Sequence, residues 1–278
     1  MAAKYPSVDE VFHVKSGTTH GGCDKYKRTL NGWWSDCQLL IDASMALITD
    51  AKDNPDSRQY LETFFKIDSA PHHPHRNVFK NFRNVHRILK SDFYNSGPDR
   101  PWPYRLRDDG MTYEQLNPEM AAEAQRLDGQ NSIVFWLPDF GWFRPGLRGE
   151  ADICEKDGKE VGETFSPRAW LPGMIMLCMN NIARLHHGLL PDLQPIRQSG
   201  LRVDQAALTS TTLFHELFHL VLPFDPEDHA YDLDDCLHLT ARQAVDNPQS
   251  YLFFALAAWL AHENPRYSFA TGVSQRID

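Results

Sequence analysis

The chain has 278 residues, of which 42% are hydrophobic and 12% aromatic, and its formal net charge is −9. This composition predicts a globular protein with a substantial core and excludes a disordered chain. The acidic balance argues against nucleic acid or a membrane as the main partner, because either would require a basic patch. The longest apolar run, residues 251–261, is too short to span a bilayer and predicts a buried helix.

The first 90 residues (1–90) are predicted to be helical. Apolar side chains recur at helical spacing in three segments, residues 39–48, 58–66 and 77–90. Residues 71–75, which read P-H-H-P-H, are interpreted as a stiff surface loop and not as a metal site, because prolines flank the histidines.

Residues 91–130 are rich in Pro, Asp, Arg and Gly, and they predict an irregular insertion. Apolar and β-branched runs then predict strands over residues 132–137, 141–143 and 174–179. Because no repeat or linker is evident, we expect one α+β domain over residues 1–278. Its last part, residues 131–265, is expected to hold the sheet, a central helix, a metal-ligand loop and a C-terminal helix.

Residues 215–219 read H-E-L-F-H, which is the H-E-x-x-H pattern of zinc hydrolases. On a helix, His215 and His219 lie on one face, so both imidazoles can bind a single metal ion. Glu216 then lies beside that metal, where it can act as a general base. The helix is predicted to begin with Asp204 as its N-cap, and apolar residues on almost every side predict that it is buried. A bound metal would compensate the cost of burying these polar groups.

A catalytic zinc ion needs three protein ligands. The motif supplies two of them and does not identify the third. Asp225 stands where the metzincin pattern H-E-x-x-H-x-x-G-x-x-[HD] has its third ligand, but Leu222 replaces the glycine of that pattern. Glu263 would be the ligand in a gluzincin, which uses a Glu from a later helix. The candidates from the residues are Asp225, Asp228, His229, Asp232 and Glu263.

Residues 228–231, which read D-H-A-Y, resemble a segment of the aspzincins, the deuterolysin and peptidyl-lysine metalloendopeptidase family of zinc peptidases. In that family, H-E-x-x-H is followed by G-T-x-D-x-x-Y-G. Residues 244–254 are similar to the A-V-x-N-A-D-x-x-E-x-F stretch of the family's last helix, and residues 174–178 are similar to its V-Y-L-C strand. The resemblance extends over residues 170–260.

This resemblance implies a zincin-like fold with a helical N-terminal half, a small sheet and an active-site helix that carries H-E-x-x-H. It also implies one zinc ion per chain, bound by His215, His219 and Asp228. Glu216 is then the general base, and the Tyr231 phenol stabilises the oxyanion of the tetrahedral intermediate.

The chain departs from the family pattern around these residues. Pro226-Glu227 replace the Gly-Thr of the family, and Asp232 replaces the glycine after the Tyr. The two acidic positions that hold a lysine in the lysine-specific branch align with Gln249 and Leu252. A buried ammonium group needs a charge partner. We therefore expect a neutral or apolar residue, and not Lys, after the scissile bond (position P1′).

The expected activity is zinc-dependent endopeptidase cleavage of a peptide or protein substrate by a monomer. Two alternatives remain open. One is a secreted metal-binding or effector protein that keeps the zinc site with little or no peptidase activity. The other is a metal-dependent hydrolase of a substrate that is not a peptide. Glu216 favours an enzyme, because a protein that only binds metal has no need of this residue.

The residues alone do not decide the cellular compartment of the protein. Residues 1–6 lack the apolar stretch of a signal peptide, so the chain is expected to be either cytosolic or the mature form of a secreted protein. The five cysteines show no C-x-x-C spacing, which leaves either two disulfides with one free thiol or five thiols. The resemblance implies secretion after loss of a signal peptide, with disulfides Cys154–Cys178 and Cys23–Cys37 and with Cys236 free.

Overall fold

The computed structural model describes residues 5–14, 23, 26–67, 73–90, 104–108, 132–137, 142–147, 161–165, 174–182, 188–222 and 228–277. A run of helices, a run of short strands and a second run of helices follow one another along the chain, so the fold is α+β, as predicted. The elements in chain order are α1 (Val8–Val11), β1 (Phe12–Val14), α2 (Lys27–Asp50), α3 (Pro55–Phe65), α4 (His73–Leu89), β2 (Tyr104–Asp108), β3 (Ser132–Leu137), β4 (Trp142–Leu147), β5 (Gly162–Phe165), β6 (Met174–Leu177), α5 (Met179–Ile182), α6 (Ser210–Val221), α7 (Leu233–His238), α8 (Ala241–Asp246), α9 (Pro248–Glu263), β7 (Tyr267–Ser268) and β8 (Gln275–Arg276).

The long N-terminal helices lie close to their predicted positions. α2 begins at Lys27, well before the first strongly apolar residues of the predicted segment. α3 begins at a standard cap, since Asn54 Oδ1 accepts a hydrogen bond from Asp56 N at 3.0 Å and Pro55 occupies the first helical position. α3 ends at Lys66, whose φ of 55° is the left-handed conformation that terminates many helices.

The loop predicted for residues 71–75 is wrong at residues 73–75, because α4 begins at His73. Pro74 lies in the first helical turn, where an N–H has no partner within the helix, so its absence breaks no bond. Pro74, one of the two prolines that indicated a loop, therefore lies at the start of a helix. Pro71 and His72 lie outside the described residues.

A small mixed sheet has the strand order β1-β2-β6-β5. β1 and β2, and β2 and β6, pair in parallel, whereas β5 is antiparallel to β6, with Gly162 opposite Leu177 and Thr164 opposite Ile175. β5 is thus at one end of this order. β3 and β4 form a separate antiparallel pair, in which β4 is longer than the predicted strand at residues 141–143, and β7 pairs with β8.

The core lies where α2, α4, α6 and α9 pack against one another. Its centre is an aromatic cluster in which ring centroids are 4.4–6.4 Å apart, distances at which aromatic pairs attract beyond simple burial. The cluster consists of Phe65, Phe82, Phe218, Tyr251 and Phe254. The Tyr251 hydroxyl is satisfied within this core, since it donates to Val245 O at 2.7 Å and accepts from Asn81 Nδ2 at 2.8 Å.

The predicted N-cap at Asp204 is wrong. A short 3-10 helix covers Val203–Ala206, and α6 begins separately at Ser210. The Asp204 carboxylate is bound by the Arg202 guanidinium, with 2.9 Å between Arg202 Nη2 and Asp204 Oδ2, so it is engaged by a stronger partner than a backbone N–H.

One of the two predicted disulfides is wrong. Cys23 and Cys37 are buried and are not joined in a disulfide, so the Cys23–Cys37 pairing is wrong, and Cys236 is free as expected. Each of the three packs within the hydrophobic core. Cys178 is disulfide-bonded, and Cys154, its partner by the family resemblance, lies outside the described residues. In the described part of the chain, none of the helices combines the length and apolar character needed to cross a membrane.

Asp36 on α2 gives a test of this packing. Its side chain is only 1% exposed, and Oδ2 accepts a hydrogen bond from Leu190 N at 3.0 Å. Burial, followed by the nearby charge of Asp192, raises the pKa of Asp36 above its usual value. Because the pKa of Asp36 is higher in the folded than in the unfolded protein, Asp36 adds to the free energy of unfolding at low pH. This contribution is complete below the unfolded-state pKa and is lost as the pH rises through the folded-state pKa. Ionised Asp36 therefore costs stability at neutral pH.

We expect Asp36→Asn to stabilise the protein at about pH 7 and to have a smaller effect at about pH 4. The amide keeps an oxygen that accepts the bond from Leu190 N, but it carries no charge. Urea unfolding at the two pH values measures the difference, with the exposed Asp53→Asn as control. Equal effects of Asp36→Asn at both pH values would contradict this account.

Candidate metal centre

α6 brings the two histidines of the motif to one buried face. His215 is 7% exposed and Glu216 is 4% exposed, and nearly all the apolar residues of the helix are buried. Since His215 and His219 are four residues apart, their rings lie side by side, with 3.0 Å between the two Nε2 atoms. The structure therefore places both imidazoles as the motif predicts.

The segment that follows α6 brings a carboxylate to the same point. Asp228 Oδ1 lies 3.3 Å from His215 Nε2, and Asp228 Oδ2 lies 3.4 Å from His219 Nε2. The three side chains offer ligand atoms that all lie within 4.8 Å of one another. Among the described residues, this group includes neither His229, Asp232 nor Glu263, and Asp225 lies outside them.

These donor atoms fit a tetrahedral cation. With Zn–N distances of ~2.1 Å, a tetrahedral site separates neighbouring ligand atoms by about 3.4 Å. The two histidine Nε2 atoms are 3.0 Å apart, and Asp228 Oδ1 lies 3.3 Å from His215 Nε2, which is close to that separation. Asp228 Oδ1 is moreover buried without a hydrogen-bond partner, which is costly unless a cation satisfies it. Two nitrogens and one carboxylate oxygen are a ligand set that zinc accepts.

Gln249, at the start of α9, fixes the orientation of the first imidazole. His215 Nδ1 lies 2.9 Å from Gln249 Oε1. An amide oxygen can only accept, so the proton is on Nδ1 and the lone pair of Nε2 points toward His219 and Asp228. Metal-binding histidines commonly have such a partner on the second nitrogen.

The electrostatics of the cluster also suit a cation. Burial alone would lower the pKa of His215, but Asp228, Glu216 and Gln249 together raise it above its usual value. Burial alone would raise the pKa of Asp228, but the two histidines lower it well below its usual range. The Asp228 carboxylate is therefore ionised at neutral pH, and its negative charge attracts a cation to this site.

Glu216 is held by strand β5. Thr164 Oγ1 lies 2.6 Å from Glu216 Oε2, a short hydrogen bond from hydroxyl to carboxylate. Gly162 faces the same carboxylate, because a Cβ built at this position would lie 2.7 Å from Glu216 Oε1. A side chain at residue 162 would displace the carboxylate from this position, so the glycine allows the close approach.

Tyr231 lies over the cluster on its solvent side. Its side chain is 62% exposed, and its hydroxyl donates to Asp228 Oδ2 at 2.7 Å. The ring stacks on His215, with centroids 6.2 Å apart and an interplanar angle of 19°. The structure thus brings Tyr231 to the site. The role in oxyanion stabilisation stays a prediction, because the phenol contacts a potential ligand here.

The two residues predicted to contact substrate have contacts inside the protein. Gln249 binds His215, as described above, and Leu252 is 3% exposed within the hydrophobic core. Their predicted contribution to a P1′ pocket stays a prediction. No sequence pattern indicated Gly162 and Thr164, which belong to a four-residue strand more than 50 residues before the motif.

The comparisons with known proteins give one informative similarity. A neutral protease 2 homolog from Arthroderma gypseum is 43% identical to this chain over 72 residues. The matched segment is 25% of this chain and 18% of that protein, so the chain matches less than a fifth of its relative's length. No protein-family model and no solved structure matches the chain. Fold and site together describe an α+β protein with a His/His/Asp group that can hold a metal, similar over a quarter of its length to a protease.

We expect the protein to bind one zinc ion per chain and to be stabilised by it. At a free zinc concentration about 1,000 times the Kd, the free energy of unfolding should rise by about 4 kcal/mol. His219→Ala and Asp228→Ala each remove a ligand and should weaken binding by more than about 100-fold. His229→Ala, a change at an exposed neighbour, should not. Calorimetric titration and urea unfolding measure both effects. Unchanged affinity in Asp228→Ala would exclude Asp228 as a ligand.

Proposed function

We propose that this protein is a zinc-dependent endopeptidase of the aspzincin type. The proposal rests mainly on one observation, the cluster of His215, His219 and Asp228 together with the Glu216 carboxylate, whose charge acts on His215. The similarity to a neutral protease supports proteolysis as the activity. The motif resemblance supports the same class, with Asp228 as the third ligand.

In this proposal His215, His219 and Asp228 hold the zinc ion. A zinc ion bound there would polarise the scissile carbonyl and make water a nucleophile near neutral pH. The protein residues then have two tasks, which are to move protons and to orient the substrate.

Glu216 moves the proton. Thr164 binds Oε2 and leaves Oε1 on the side where Gly162 has no side chain. Oε1 is thus the atom that takes a proton from the attacking water and returns it to the nitrogen of the leaving amine. Because Thr164 restricts rotation of the carboxylate, Oε1 stays aimed at one point.

Tyr231 assists at the carbonyl oxygen. Its hydroxyl donates to Asp228 Oδ2 in the present conformation, and its exposed ring can rotate toward a bound peptide. When it does so, the phenol donates to the oxygen on which negative charge develops.

The substrate is a peptide that adds to the sheet at β5. This strand is at one end of the order β1-β2-β6-β5 and passes beside Glu216. A peptide bound antiparallel to β5 would use main-chain hydrogen bonds for affinity, and its side chains would set specificity. The scissile bond would then lie over the base.

Secretion as a monomer is part of the proposal, with neither nucleic acid nor a membrane as partner. The disulfide at Cys178 favours an oxidising compartment. Cys37 and Cys236 are buried, so their thiols are compatible with that compartment.

Digestion of a peptide library with the zinc-loaded protein tests the proposal. Glu216→Gln should lower kcat by about 10²–10⁴-fold and leave zinc bound, because it removes the base but no ligand. Glu263→Gln, at the exposed end of α9, should cleave like the wild type. If the wild type and Glu216→Gln both bind zinc and neither cleaves any peptide, the proposal is wrong and a secreted metal-binding or effector role replaces it.

The residue after the scissile bond is expected to be neutral or apolar. Positions 249 and 252 carry Gln and Leu, so neither offers a carboxylate to pair with an ammonium group. Paired peptides that differ only in Leu or Lys at P1′ should differ in kcat/KM by at least about 10-fold in favour of Leu. Equal or faster cleavage before Lys would contradict this expectation.

We expect Thr164 to affect catalysis by orienting the Glu216 carboxylate. Thr164→Val has nearly the same shape but no hydroxyl, so we expect kcat to fall by about 10–100-fold with little change in zinc affinity. Thr164→Ser keeps the hydroxyl and should retain most of the activity. Steady-state kinetics and zinc titration of both variants measure this. Full activity in Thr164→Val would show that the hydrogen bond does not position the base.

A further inference from the structure

The beginning of α9 contacts two separate parts of the metal centre. Asn247 precedes the helix, Pro248 is its first residue and Gln249 its second. Asn247 contacts the segment that carries Asp228, and Gln249 contacts His215. These two contacts are made by residues of one short stretch, on a helix that is otherwise buried in the core.

Asn247 pairs with a peptide unit of the ligand segment. Its Oδ1 accepts from Ala230 N at 3.4 Å, and its Nδ2 donates to Ala230 O at 3.2 Å. Ala230 stands between Asp228 and Tyr231, so this two-point contact fixes the backbone that carries both side chains. Asn247 Nδ2 also donates to Ser250 Oγ at 3.1 Å, and Cys236 Sγ donates to Ala230 O at 3.5 Å.

The position of Asn247 makes this use of its side chain informative. An Asn in the N-cap position ordinarily accepts from the first N–H groups of its own helix, but the Asn247 side chain makes no such bond. It is 0% exposed and directs its amide to Ala230 instead. The Asn247 side chain thus bonds to the loop and not to the N–H groups of its own helix. This preference indicates that the contact with the loop is important for the structure of the site.

We infer that Asn247 and Gln249 are the positioning residues of the metal centre. Asn247 holds the backbone at Ala230, two residues after Asp228, and Gln249 holds the ring of His215. The start of α9 therefore sets the distance between a ligand on the loop and a ligand on α6. α9 can do this because it packs rigidly on α6, where Tyr251 stacks on Phe218 with centroids 4.4 Å apart. The inference rests on the proposed metal site, and it does not require peptidase activity.

The test is zinc affinity, measured by competition with a chromophoric chelator, together with the absorption spectrum of the Co²⁺-substituted protein. Gln249→Met keeps the length of the side chain but removes the acceptor, so zinc affinity should fall about 10–100-fold. Gln249→Glu keeps the acceptor and should restore affinity to near the wild-type value. Asn247→Leu, of similar shape but without hydrogen bonds, should also lower affinity and change the Co²⁺ spectrum.

Two matched controls separate positioning from stability. Gln243→Met removes the capping box of α8, and Asn264→Leu removes the hydrogen bonds of Asn264 to Ile196 N and Leu260 O at the other end of α9. Both should lower the urea midpoint without changing zinc affinity. Should Asn247→Leu fail to fold, the Gln249→Met and Gln249→Glu pair still decides the role of Gln249.

The outcomes are distinct from those of the peptidase test. Wild-type affinity and spectrum in both Gln249→Met and Asn247→Leu would overturn the inference, as would a wild-type protein that binds no zinc. A wild type that binds zinc without cleaving peptides would overturn the proposed function alone, and the affinities of the variants would still decide the role of α9.

Discussion

Burial of charge is the constraint on which the arrangement of this protein depends. α6 lies in the core, yet it carries His215 and Glu216, and Asp228 is packed against it. Charges removed from water cost several kcal/mol each unless they are paired or bind a cation. The surrounding contacts offset this cost, with a separate partner for each buried group. Thr164 binds the Glu216 carboxylate, Gln249 binds His215, and Asp228 interacts with both histidines.

These contacts explain why a short strand and a long helix meet at the same point. Residues two apart in a strand face the same side, so Gly162 and Thr164 of β5 both face Glu216. One gives space for the carboxylate and the other gives a hydrogen bond. α9 contributes from a different direction, through its first turn. Except for Asp228 and Tyr231, which lie on a loop, the residues of the candidate metal centre are therefore on elements of regular structure, which hold side chains more firmly than loops do.

The local patterns of the sequence predicted the parts of the structure that depend on local rules. The i, i+4 spacing of the histidines follows from helix geometry, and it is found. The errors occur where a distant partner decides. Asp204 is no cap because Arg202 binds it, and Gly162 had no visible role because its neighbour, Glu216, is 54 residues further along the chain. Asp228 was found through family resemblance, since spacing alone left five candidates.

The departures from the aspzincin pattern are compatible with the site because the ligand segment is fixed from its later side. A glycine is required after the Tyr only if the backbone there needs positive φ. Asp232 has φ −82° and ψ 148°, an extended conformation open to any residue, and it precedes α7 in the N-cap position, where Asp is favoured. The amide of Asn247 pairs with Ala230 on the other side of Tyr231. Contacts at residues 230–232 thus restrict the backbone next to Asp228, and Pro226 and Glu227 lie outside the described residues.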